Sequence, residues 1–219
     1  SEWAKKVCED NGIIGCKKNV VPLGVDSSLF KPAPVRNEDK TIFFNCGKWE
    51  VRKGHDVLIN AFEMVLDHNE DVELWMMCTN PFNSPEEEAN WKQLYSNPKV
   101  KLIPRAETQE EVYNIMSQVD CGVFPSRAEG WNLELTEFCT KENSGLVSIE
   151  DTEPAVDGKW FFNQGNWAKI TEHQIFDINI KMQNFILNRK GTLNEAGIET
   201  AKKFSWTNTA KEILKYAKE

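Results

Sequence analysis

The sequence predicts an α/β fold, a parallel sheet with helices on both faces. Three observations carry that expectation. Short apolar β-rich runs alternate with helix-patterned segments from Thr41 to Phe124, the pattern of βαβ units. The turns that follow the β-rich runs hold Gly, Pro and charged residues. A chain of 219 residues, 40% hydrophobic and 27% charged, is long enough to bury a sizeable core.

The elements follow in order. Thr41–Cys46 (TIFFNC) reads as the first strand, and Gly47–Gly54 as a polar loop with Gly at both ends. His55–Asp67 places Val57, Leu58, Ala61, Phe62 and Val65 on one helical face. Val72–Cys78 is the next strand, Pro81–Pro85 a loop, and Glu86–Tyr95 a helix with three acids in its first turn. Val100–Ile103 is a strand and Pro104–Glu107 a loop. Thr108 and Glu111 have the spacing of a capping box for a helix to Gln118. Cys121–Phe124 is a strand and Pro125–Gly130 a loop. Asp157–Trp167 (DGKWFFNQGNW) reads as an ordered loop whose aromatic side chains seek burial. Ile170–Asn188, Thr192–Lys203 and Thr207–Lys218 read as helices. In parallel sheets ligands bind outside the carboxyl ends of the strands, so Gly47–Gly54, Pro104–Glu107 and Pro125–Gly130 are expected to converge on one crevice.

Composition narrows the function. A net charge of −8 argues against a surface that holds nucleic acid by phosphate contacts. No apolar run reaches the roughly 18 residues of a membrane helix, and no segment reads as a signal peptide. Six cysteines without a Cys-x-x-Cys pair read as reduced thiols, hence a cytoplasmic protein. His55, His68 and His173 stand alone as far as metal-ligand spacing goes, and no Asp-x-Asp pair occurs, so no metal is expected.

Two segments carry chemistry. Gly47-Lys48-Trp49-Glu50-Val51-Arg52-Lys53-Gly54 joins a strand to a helix and holds three cations. A helix start attracts anions, so a phosphate site fits; a solvated charged loop fits this segment equally. The spacing is neither Gly-x4-Gly-Lys-Ser/Thr nor Gly-x-Gly-x-x-Gly. In the second segment Glu129 and Glu137 flank one helix start, with Glu134 between them. A carboxylate there is also ordinary helix capping. Arg127 is placed to pair with Glu129 or to reach a phosphate. Trp160 and Trp167 read as local core rather than a sugar platform.

Five motifs in order resemble the donor-binding domain of retaining, nucleotide-sugar-dependent glycosyltransferases of the GT-B fold, group 1 or family 4 type. Val21-Pro22-Leu23-Gly24-Val25-Asp26, with Phe30 and Pro32, resembles the opening of that domain. Gly47-Lys48 with Lys53-Gly54 is similar to the family's Gly-Arg…Lys-Gly loop, with Lys48 in place of Arg. Pro125-Ser126…Glu129-Gly130-Trp131 is similar to its Pro-Ser…Glu-Gly-Phe. Glu129 and Glu137 match its two glutamates, and Phe204-Ser205-Trp206…Ala210 its closing helix.

The resemblance implies a Rossmann-like sheet, one half of a GT-B fold, plus C-terminal helices. It implies catalytic roles for Lys48, Lys53 and Glu129: the lysines on the donor diphosphate, Glu129 on the transferred sugar. It implies donor contacts from Gly47, Arg105, Gly130, Trp131, Asn132 and Leu133, and from Glu137 to the ribose. The donor is then a substrate, no cofactor is expected, and lysines supply the charge a metal supplies elsewhere. Residues 1–18 would be a linker helix from an N-terminal acceptor domain, 19–190 the nucleotide-sugar domain, and 191–219 helices packing back toward that acceptor domain. The acceptor would be a glycan, lipid or protein. A nucleotide-sugar-binding module without transfer activity, or an epimerase of the same fold, would share these motifs. The family's helix and strand after the second glutamate have no counterpart past Leu135, which implies a skipped unit of roughly 15–20 residues.

Overall fold

The structure is a computed structural model that describes residues 1–13, 15–33, 36, 39–130, 147–188 and 194–218. Its centre is a parallel sheet in the order β3-β2-β1-β4, formed by β1 (Thr41–Gly47), β2 (Val72–Cys78), β3 (Val100–Leu102) and β4 (Cys121–Gly122). The register of β1 with β2 runs from Thr41 opposite Val72 to Gly47 opposite Cys78. The short β4 ladder is extended by Val123, whose N–H donates to the Phe44 carbonyl at 2.9 Å.

Both faces of the two central strands are buried, so β1 and β2 are nearly continuously apolar rather than alternating. Phe43, Leu74, Met76 and Cys78 pack on α2 (His55–Leu66), Trp91 of α3 (Pro85–Leu94) and α5 (Glu172–Asn188). Phe44, Cys46, Trp75 and Met77 pack on Val25 and Phe30, on α4 (Gln109–Met116), and on Ala201 of α6 (Glu195–Lys203). This is the Rossmann-like arrangement with helices on both faces. Phe43, Phe44 and Phe62 are wholly buried, each contributing on the order of 1.5–3 kcal/mol.

Local chemistry starts the helices where the sequence predicts. Ser84 accepts from the Glu87 N–H, Glu87 returns a bond to the Ser84 N–H, and Pro85 holds the first position. The acidic run is therefore a helix N-terminus. At α4 the expected capping box is half formed. Thr108 accepts from the Glu111 N–H, but the Glu111 carboxylate takes the Glu107 N–H at 2.7 Å instead of closing the box.

The expected loop over 157–167 is instead a hairpin of β5 (Thr152–Val156) and β6 (Phe162–Ala168), antiparallel, with Asp157 at its turn. Asp157 Oδ1 accepts the N–H groups of Lys159, Trp160 and Phe161, which closes the turn. Trp167 is buried, as expected, but Trp160 is 43% exposed and Phe162 61% exposed. Trp160 lies in the turn and meets the Phe82 ring edge-on at 5.9 Å, and Phe162 opens β6 with most of its side chain in solvent.

The segment Pro22–Val25 meets the segment Phe204–Thr209. The Val25 N–H donates to the Phe204 carbonyl at 2.9 Å, and Thr209 Oγ1 donates to the Pro22 carbonyl at 2.9 Å. A Cβ on Gly24 would lie 2.3 Å from the Ser205 backbone, so only glycine lets these two segments dock. Helix α1 (Glu2–Asp10) is capped by Ser1 and buries none of its residues, and α7 (Trp206–Tyr216) is capped by Ser205. Among the described residues no helix is long and apolar enough to cross a membrane.

Candidate functional site

The strand order reverses between β1 and β4. In an open parallel sheet, that reversal opens a crevice at the carboxyl ends of the two strands. The loops leaving those ends are Gly47–Gly54 and Pro125–Gly130. They are joined by backbone before any side chain acts. The Arg127 N–H donates to the Arg52 carbonyl at 2.8 Å. Gly54 sits at φ +74, and a Cβ there would lie 2.0 Å from the Pro125 carbonyl oxygen. The Lys-Gly and Pro-Ser motifs are thus halves of one contact.

The side chains complete the join. Lys53 Nζ is 2.8 Å from Glu129 Oε1, and Arg52 is 3.1 Å from Glu129 Oε2. Ser126 Oγ donates to Glu129 Oε1 at 2.8 Å. Burial alone would raise the Glu129 carboxyl. Hydrogen bonds from Lys53 and Ser126, with the charges of Lys53 and Arg52, outweigh it and hold the group below the ordinary glutamate range. Glu129 is therefore an anion at neutral pH, in contact with two cations.

Arg127 does not pair with Glu129. Its guanidinium forms a bidentate pair with Asp56 at 2.7 and 2.8 Å, in the first turn of α2. It also donates to the Val51 carbonyl and lies 5.9 Å from the centre of the Trp167 ring. The fork geometry explains the choice, because Asp56 presents both oxygens to it. Arg127 is a strut between the site loops, α2 and the hairpin.

Lys48 is exposed at the end of β1, after the half-buried Gly47, with its Nζ 4.8 Å from the centre of the Phe82 ring. Arg105 is exposed in the loop after edge strand β3, two strands away from β1. Gly130 is exposed, and no described residue beyond its chain neighbours lies within 4 Å of a Cβ placed on it. Trp131, Asn132, Leu133 and Glu137, and the segment after Leu135, lie outside the described residues. The structure thus brings Lys53 and Glu129 into contact and places Lys48 and Arg105 at the same end of the sheet.

The Gly47–Gly54 loop is not a solvated loop. Trp49 is buried, stacked on Trp91 at 5.8 Å and against Tyr95 and His55. His55 does not stand alone either. Its Nδ1 accepts the Glu50 N–H, so its proton sits on Nε2, which faces Asn45 Oδ1 at 3.0 Å. Asn45 donates to the Val123 carbonyl at 2.7 Å, tying β1, β4 and the basic loop together. Cys78 Sγ lies 3.3 Å from the same Asn45 oxygen. The five described cysteines are free thiols. Among the described residues no group of three or more His, Cys, Asp or Glu is arranged to hold a metal ion.

This network has a pH signature. Burial, with the charges of Lys53 and Arg52, pushes His55 from 6.5 down to about 3. Below pH 6.5 the unfolded chain binds a proton that the folded chain refuses. Stability is therefore full above 6.5 and falls as the pH drops toward 3, by at most about 1.4 kcal/mol per unit. Urea unfolding at pH 7 and pH 5 should differ by roughly 2 kcal/mol. His55→Gln should remove that slope; an unchanged slope in the variant rules His55 out as its source.

The family match is to Glycosyl transferases group 1, over residues 39–140. That stretch contains the basic loop and Glu129. The fold is that of the C-terminal domain of a GT-B glycosyltransferase. The C-terminal domain of the group 1 family protein LpcC from Francisella tularensis aligns with TM-score 0.60 and 16% identity, covering 84% of this chain and all of that one. HepE from Anabaena, in complex with UDP and glucose, aligns with TM-score 0.72 and 12% identity over 100% of this chain and 61% of that one. A TarM mutant from S. aureus, in complex with fondaparinux, α-GlcNAc-glycerol and UDP, aligns with TM-score 0.67 and 15% identity over 98% of this chain and 42% of that one. The chain therefore spans 42–61% of these two longer neighbours. No curated protein matches it in sequence.

Against the group 1 motifs, sequence reading missed three partners of the site. Ser126 was visible only as part of a motif, and Arg52 only as one of three cations. Asp56, in the first turn of α2, was not singled out by any motif. The signal available for Arg52 was Glu50 two residues before it, which pairs with it at 2.9 Å.

Proposed function

We propose that this chain is the donor-binding half of a retaining glycosyltransferase, which moves a sugar from a nucleoside-diphosphate donor to a glycan, lipid or protein acceptor. The observation that carries the reading is the pairing of the basic loop with Glu129 at the β1–β4 reversal, within the group 1 match. UDP in two neighbours of the same fold supports a nucleotide donor.

In this reading Lys53 and Lys48 bind the diphosphate and stabilise the negative charge that grows on it as the glycosidic bond breaks. Glu129 hydrogen-bonds hydroxyls of the transferred sugar. Backbone N–H groups from Gly130 to Leu133 face the donor, Glu137 binds the ribose, and the loop of Arg105 borders the base. Lysine charge suffices for the leaving group, so we assign no metal and no cofactor. An N-terminal domain supplies the acceptor site, and the enzyme is cytoplasmic. Because the chain spans about half of the longer neighbours, a binding module without transfer activity of its own is the second reading.

Calorimetric titration with UDP tests the site. Lys53→Ala should weaken binding by about 1–3 kcal/mol, the scale of a lost charged hydrogen bond, or roughly 5- to 150-fold. Unchanged affinity in the variant removes Lys53 from the site. No binding of UDP, GDP or ADP by the wild-type chain removes the donor reading altogether.

A further inference from the structure

Two aromatic side chains stand in water beside the basic loop. Phe82, in the loop between β2 and α3, is 62% exposed, and Trp160, at the hairpin turn, is 43% exposed. Their rings meet at 5.9 Å with 72° between their planes, which makes an open corner. Both are fixed in place. Buried Asn80 accepts the Phe82 N–H at 3.1 Å and donates to the Trp49 carbonyl at 3.1 Å, which ties the Phe82 loop to the basic loop. Lys159 Nζ crosses from the hairpin to the Phe82 carbonyl at 3.3 Å, Asn83 Oδ1 at 3.1 Å and Glu87 Oε2 at 2.6 Å. The corner is therefore set before anything binds, and little ordering cost remains.

The groups around the corner say what fits it. Lys48 Nζ lies 4.8 Å from the centre of the Phe82 ring, and Lys159 Nζ 5.2 Å from that of Trp160. Glu87 takes Lys159 and the Ser84 N–H on Oε2, which leaves Oε1 to accept from a hydroxyl. Apolar ring faces beside donors and an acceptor match a pyranose, whose C–H face is apolar and whose edge carries hydroxyls. A stable protein interface takes about 800 Å² from each partner, and two rings bordered by Lys48, Lys159, Ser84 and Glu87 do not make such a face. Lys48 and Phe82 follow the carboxyl ends of β1 and β2, the end of the sheet where ligands bind. We propose that Phe82 and Trp160 form a saccharide subsite, so that the acceptor is a glycan. The proposal rests on the donor-site reading above and narrows its acceptor to one class.

Saturation-transfer NMR titration of the full chain with maltotriose and with chitotriose tests the subsite, without nucleotide present. The wild-type chain should bind at least one of them. Trp160→Ala and Phe82→Ala should weaken that binding by about fivefold or more, the scale of a lost aromatic contact. Trp160→Phe, which keeps a ring, should retain most of it. Trp3→Ala, on exposed α1, should change nothing and controls for unspecific stacking. If Trp160→Ala does not fold, Trp160→Leu keeps the bulk and removes the aromatic face, with the same loss expected. No binding of either trisaccharide, or equal binding by wild type and Trp160→Ala, overturns the proposal. So does a Trp160→Ala chain that loses calorimetric affinity for UDP as far as Lys53→Ala does, since the corner would then hold the nucleobase. Sedimentation that shows a wild-type dimer and a Trp160→Ala monomer also overturns it, by giving the corner to a second copy. Trisaccharide binding by a chain that binds no UDP, GDP or ADP overturns the donor-site reading and the acceptor role with it.

Discussion

Gly54→Ala should destabilise the chain by about 3 kcal/mol or more and lower Tm by roughly 6–12 °C. Two costs combine. The left-handed φ of +74 costs an alanine about 1–2 kcal/mol. The new Cβ also meets the Pro125 carbonyl oxygen at 2.0 Å and its carbon at 2.8 Å, and these are backbone atoms that cannot rotate away. The loops must separate, which parts Lys53 from Glu129 and removes UDP binding together with stability. Gly158→Ala is the control. Gly158 has φ +76 with open space around its Cα, so its substitution should cost only the conformational part. Thermal unfolding of both variants decides the matter. Equal costs at the two positions would show that the close approach at Pro125 contributes nothing.

Asp120→Ala should cost about 3 kcal/mol by urea unfolding, the scale of breaking a buried ion pair from one side. Asp120 Oδ2 accepts from Arg36 at 2.9 Å and from the Ile42 N–H at 2.7 Å, with only 6% of its side chain exposed. Removing the carboxylate takes a charged acceptor from Arg36 and leaves the Ile42 N–H inside the protein without it. The bond spans 78 residues of chain and locks the start of β4 onto β1, so the Pro125–Gly130 loop should loosen too. Glu73→Gln makes the comparison. Glu73 pairs with Lys40 at 2.6 Å, but 45% of the lysine side chain is exposed, and solvent-screened pairs contribute about 0–1 kcal/mol. A loss at Asp120 no larger than at Glu73 would overturn this ranking.

Much of the fold is legible in the chain, for local reasons. Thr41–Cys46 and Val72–Cys78 are apolar without alternation because both faces of the sheet are covered, and that pattern survives without knowledge of neighbours. The spacing Val57-Leu58-Ala61-Phe62-Val65 shows α2 before its partners are known. The hairpin at 152–168 was not legible. Pro154 interrupts one strand and Gly165 the other, and the first five residues of β6 are all exposed, so no period-2 signal survives. His55, at the start of α2, reads as an isolated histidine because Asn45 and Cys78, which surround it, belong to β1 and β2.

The sequence by itself determined the α/β class, the order of the four sheet strands and the helices between them, the Thr108 cap, and the presence of a cationic loop and an acidic loop after two strands. Residue chemistry and short-range periodicity suffice for each of these, because the groups involved lie within a few residues of one another. Only the tertiary structure decided that β4 lies beside β1, and hence that Lys53 and Arg52 meet Glu129 while Arg127, its near neighbour in sequence, turns to Asp56. Those partners lie about 70 or more residues apart. Which cation reaches which carboxylate depends on strand order and on where the Gly54–Pro125 contact pins the two loops, and both are set by packing on the two faces of the sheet.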